Sequence, residues 1–96
     1  MITRTDGRLQ VSGAVTIETA NALFAEGLKS PANSNLVIDF SQLEKVDSAA
    51  VSLMLVWLRE AQRSNVNLRF ANVPDNLSSL AKLYGVAELL APNTSE

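Results

Sequence analysis

Apolar positions along the chain keep two different periods, and the switches between them mark its elements. Leu9 and Val11 alternate with Arg8, Gln10 and Ser12, the period of a half-buried strand. Asp6-Gly7 precedes them. A DG pair between short alternating runs signals a hairpin, because its tight turn needs positive φ. Ile17, Ala20, Leu23, Phe24 and Leu28 then recur at helical spacing, with Thr19, Glu26 and Lys29 on the opposite side. Thr16 stands where the N-cap of this helix is expected, and Glu18 lies in the first turn, where the helix dipole favours an acid. Ser30-Pro31-Ala32-Asn33-Ser34-Asn35 breaks the helix.

Leu36-Val37-Ile38 is a continuous apolar run. It predicts a strand over 36–40, covered on both faces, with Asp39 near its C-terminal end. Residues 41–45 form a polar link in which Leu43 is an inward anchor. A helix is predicted over 48–63. Val51, Leu53, Met54, Leu55, Val56, Trp57 and Leu58 point in nearly all directions around its axis. A helix apolar all round should be buried all round, which a small domain achieves with difficulty. Two readings follow: a partner surface near Met54 or Trp57, or burial between the sheet and the C-terminal helix.

Ser64-Asn65 ends that helix. Val66, Leu68 and Phe70 alternate with Asn67 and Arg69, which predicts a strand over 66–71. After a turn at Pro74, a helix over 76–84 places Leu77, Leu80, Ala81 and Tyr84 on one face, with Gly85 at its C′ position. Residues 86–90 supply a further turn, and 92–96 read as a frayed tail. The order is ββαβαβα. Right-handed crossovers then imply an α/β domain with a mostly parallel central sheet flanked by helices, its first strand antiparallel.

Composition narrows the function more than the fold. The 96 residues suit one small domain, with 47% apolar and 19% charged residues. The net charge is −2 with no run of one sign. Nucleic-acid binding and a polybasic membrane anchor both need a clustered basic footprint. No cysteine or histidine occurs. Disulfides, thiolate metal sites and cysteine nucleophiles are excluded, along with the commonest general base and metal ligand. The N-terminal MITRTDGRLQ has no apolar signal region. The longest apolar block, 51–58, is too short to span a bilayer. A cytoplasmic location without direct membrane insertion is the expectation.

The chemistry concentrates at Asp47-Ser48, the expected start of the apolar helix. In α/β sheets, ligands and partners gather beyond the strand C-termini. A helix N-terminus there offers free N–H groups and a positive dipole end. A phosphate on Ser48 would be stabilised. The plainer reading is that Asp47 or Ser48 caps the helix. Ser48 has neither a histidine nor a G-x-S-x-G elbow, and no P-loop occurs. Asp39, Glu44 and Asp47 read as solvated charges rather than a magnesium site. No catalytic residue, cofactor or metal is expected.

The strand LVIDF, the junction VDSAAVSLML and the late strand LRFANVP, in the order ββαβαβα, resemble a STAS domain. That fold is shared by anti-sigma-factor antagonists of the SpoIIAA type and sulfate-transporter tails. The resemblance covers residues 1–91. A second match, Leu80-Ala81-Lys82-Leu83-Tyr84 after NVPDNLSS, resembles the C-terminal helix of MlaB-like stand-alone STAS subunits of Mla-type phospholipid ABC transporters. This likeness implies a non-catalytic accessory subunit. It would bind the transporter's cytoplasmic, MlaF-like ATPase, peripheral at the inner membrane, and support assembly or activity in outer-membrane lipid asymmetry. Ser48 matches the Ser/Thr at that contact, which sigma-regulating members phosphorylate. Asp47 matches the family aspartate and Tyr84 the tyrosine of the LAKLY-like helix. Docking is expected across Asp47, Ser48, Ala49, Met54 and Tyr84. The alternative is an anti-sigma-factor antagonist switched by phosphorylation of Ser48 by an anti-sigma factor kinase. Ala49-Ala50 departs from that pattern, which carries Ser or Thr and then Gly. The Ala50 methyl is expected to hinder a kinase.

Overall fold

The computed structural model describes residues 2–5, 7–26 and 30–95. Asp6, Leu28, Lys29 and Glu96 lie outside the described residues. The order is β1 (Ile2–Thr5), β2 (Arg8–Val15), α1 (Ala20–Glu26), β3 (Asn35–Val46), α2 (Ser48–Ser64), β4 (Asn67–Ala71), α3 (Asp75–Leu83), α4 (Ala87–Leu90), a 3₁₀ turn (Ala91–Asn93) and β5 (Thr94–Ser95). The strands pair in sequence order. β1 is antiparallel to β2, and every other pair is parallel. The predicted mixed α/β sheet with an antiparallel first strand is therefore present.

Sequential strand order has a consequence for layering. Right-handed crossovers that always step in the same direction place every helix on the same side. Leu9, Ile38 and Phe70 form one lateral row, with Leu36 beside Leu68. These residues pack against Leu53, Met54, Trp57 and Leu77 of the helices in a single core. The opposite face carries the row Arg8–Val37–Arg69, and both arginines are exposed. Val37 is half-buried rather than covered on both faces as its apolar run suggests.

The middle helix resolves the two readings of its apolar surface. Met54 and Trp57 are 2% and 0% exposed, and the residues buried with them are Ala50, Val51, Leu53, Leu58 and Ala61. α2 lies between α1 and α3, above the sheet. Burial, not a waiting partner, explains its composition, and only Val56 among its large apolar residues is exposed.

Three boundaries differ from the sequence reading. Residues 41–45 are strand rather than link. They pair with β2, and register shifts there break the strict alternation that would mark a strand. The first helix begins at Ala20, not after Thr16. The Thr19 N–H bonds the carbonyl three residues back, at Thr16, a turn tighter than α. That tight turn takes Ile17 out of helical phase and leaves it 77% exposed. The chain end is not frayed through residue 95. Thr94 and Ser95 pair with Phe70 and Ala71, and the Asn93 side chain donates to the Leu68 carbonyl at 2.9 Å.

Candidate functional site

Asp47 sets the geometry at the head of α2. Its backbone is extended, and Oδ1 accepts the Ala49 N–H at 2.8 Å. Asp47 is therefore the cap, and Ser48 is the first helical residue, exposed to solvent. The other carboxylate oxygen accepts the Ile17 N–H at 3.1 Å. One side chain thus ties the start of α2 to the turn between β2 and α1. That turn is further held by Thr19, whose hydroxyl accepts from the Thr16 N–H and donates to the Ala14 carbonyl, each at 3.0 Å. Ala49 is half-buried beside the cap.

The end of α3 supplies the other half of the site. Gly85, at φ +73°, donates to the Lys82 carbonyl, and Val86 donates to the Ala81 carbonyl. This pair of bonds is a Schellman closure, and it returns Val86 towards the core. Tyr84, one residue earlier, is left 54% exposed. Ser48, Val51, Ser52 and Leu55 of α2 then line one groove with Tyr84 and Val86, of about 330 Å³. The four α2 positions follow i, i+3, i+4, i+7 spacing, a single stripe of the helix.

Ser48 and Tyr84 are thus brought together, with Asp47 and Ala49 at the same helix head. Met54 is not on this surface. It faces the core and lines a different cavity, beneath α3 and α4, because its position on α2 points at the sheet and the last helices. Ala50 is 2% exposed, so its methyl faces inward. The hindrance expected from it at the Ser48 surface is not there. Val51, Ser52, Leu55 and Val86 were not singled out from sequence. The first three could have been found by counting helical spacing from Ser48. Ile17 could not, since its place depends on a bond to a residue 30 positions away.

The acids are committed to separate neighbours. Asp39 is buried on the sheet face away from the helices, with Arg8 at 2.8 Å, Asn72 at 3.0 Å and the Ser41 N–H at 2.9 Å. Burial alone would raise its pKa, but these bonds outweigh it and hold the carboxyl well below the usual carboxylate range. Asp47 serves Ile17 and Ala49 instead. Among the described residues no helix is long and apolar enough to cross a membrane.

Solved structures share this architecture. The anti-sigma factor antagonist SpoIIAA in its unphosphorylated form superposes with a TM-score of 0.70 over 99% of this chain and 84% of its own, at 14% identity. A sulfate transporter family protein from Wolinella succinogenes gives 0.69 over 91% and 73%, at 12% identity. The fold is that of the STAS class. A family model described as "Mlab, STAS domain" matches residues 1–91, and the chain belongs to that family. The intermembrane phospholipid transport system binding protein MlaB of Haemophilus influenzae is 34% identical over 53 residues. That stretch is 55% of this chain and 50% of the relative, so the likeness spans about half of each.

Proposed function

We propose that this protein is a non-catalytic subunit of an intermembrane phospholipid transport system, and that it docks on the cytoplasmic ATPase of that system. It would sit peripherally at the inner membrane through that complex, supporting its assembly or activity. The observation that carries the reading is the groove shared by Ser48 and Tyr84. An exposed tyrosine suits such a contact, because its ring buries area while its hydroxyl tolerates a wet rim. The partial likeness to MlaB supports the choice of transporter.

The test is capture of the cognate ATPase by Ser48→Glu and Tyr84→Glu variants whose circular dichroism matches wild type. Both positions are exposed, so the fold should tolerate the charge. A charge placed in an interface core costs several kcal/mol, on the order of 2–5, and binding should be lost. Retention of the ATPase by both folded variants would sink the surface assignment.

A second reading has one observation in its favour. Ser48 is exposed at a helix N-terminus, and the Ala50 methyl does not stand over it. A phosphate there would meet the positive end of α2, although the Asp47 carboxylate opposes it. In that reading the protein is an anti-sigma-factor antagonist switched at Ser48 by its partner kinase. Incubation with that kinase and ATP, followed by mass spectrometry, separates the two readings.

A further inference from the structure

We infer that the cavity beneath α3 and α4 binds a single-chain amphiphile with an anionic head, of the medium-chain fatty-acid class. This site is independent of the ATPase reading and shares no lining residue with the Ser48–Tyr84 groove. Its volume is about 290 Å³. The inner wall is apolar and belongs to the core: Met54, Leu77, Ala81 and Leu90 are buried and line it, with Ala87 nearer the surface. The short alanine side chains leave room that leucines would fill. An apolar cavity of ~150 Å³ takes a benzene ring, so this one has room for a chain of roughly ten carbons.

Charge selects the head group. The polar lining is Ser78, Lys82 and Thr94. Thr94 already donates its hydroxyl proton to the Leu90 carbonyl at 2.8 Å. Ser78 and Lys82 are one turn apart on α3, so both face the same opening. Lys82 is exposed and forms no ion pair with a described residue. Glu88 lines a shallower cleft beside it without bonding to it. A hydroxyl donor and an ammonium at the mouth of an apolar pocket complement a carboxylate on an alkyl chain. A neutral chain would leave the cation unused, and a cationic one would be repelled.

The experiment is calorimetric titration of the full chain with hexanoate, octanoate, decanoate and octanol. Decanoate should bind one to one, with affinity rising about fourfold per methylene across the acids, the factor that burying one CH₂ supplies. Lys82→Glu should weaken octanoate at least tenfold and leave octanol unchanged. Ala87→Phe, at a half-buried wall position, should abolish both ligands while the circular dichroism stays native. Absence of decanoate binding to the wild type would overturn the proposal. So would affinities that ignore chain length, or a Lys82→Glu variant that binds octanoate as before. The lysine variant alters only an exposed position, so the test holds even if Ala87→Phe fails to fold.

Discussion

The carboxylate of Asp47 accepts the backbone N–H of Ile17, 30 residues earlier in the chain, at 3.1 Å. The same carboxylate caps α2 through Ala49. Asp47 therefore has two tasks and Ser48 has neither. Asp47→Ala should cost about 1–2 kcal/mol, the upper range for a lost cap. Ser48→Ala, at an exposed position, should stay within about 0.5 kcal/mol. In a domain of this size, 1 kcal/mol corresponds to a midpoint shift of about 4–8 °C. Thermal melts of both variants decide it. Equal shifts would mean that Ser48 shares the capping role.

Met54 and Tyr84 were grouped by sequence and are separated by burial. Met54→Ala should destabilise by about 2–5 kcal/mol, as core truncations do. Tyr84→Ala should change stability by no more than about 0.5 kcal/mol. Urea unfolding at one pH compares them directly. A mild Met54 variant would contradict its place in the core.

Asp39 gives the protein an acid limit. Its folded-state pKa is lowered relative to the unfolded chain, whose aspartates titrate near ~3.9. Its contribution to stability is therefore complete above that value and is lost progressively as pH falls below it towards the folded-state value. Asp39→Asn should be destabilising at pH 7 by on the order of 1–3 kcal/mol. The gap to wild type should narrow progressively as pH falls from ~4 to ~2. Urea midpoints across that range measure it, and a gap that stays constant would show that the charge contributes nothing.

The chain end is tied down by Asn93, whose side chain donates to the Leu68 carbonyl at the outer edge of β4. Asn93→Ala should cost about 1 kcal/mol. It should also speed amide exchange in β5 relative to the wild type. Exchange at Thr94 and Ser95 that is already unprotected in the wild type would restore the picture of a frayed tail.

By itself, the sequence determined the kind and order of the elements from β1 to α3. Alternation at Leu9 and Val11, helical spacing through Leu77 and Ala81, and Gly85 after the last full helix are local signals with local causes. It also placed a helix head at Asp47-Ser48, since polar residues just before an apolar helix are candidate caps wherever the chain goes. Tertiary structure decided what depends on contacts distant in sequence. The strand order, and with it the single helical layer and the half-buried Val37, follows from which strands pair. The strand over 41–45 exists because β2 lies beside it and supplies the hydrogen bonds that a polar, bulged segment cannot announce. Burial of Met54 and Trp57 depends on where α1 and α3 settle around α2. The second bond of the Asp47 carboxylate, to the Ile17 N–H at 3.1 Å, exists only because β2 pairs in parallel with β3. A period of apolar residues states which face is inward but not what that face will meet.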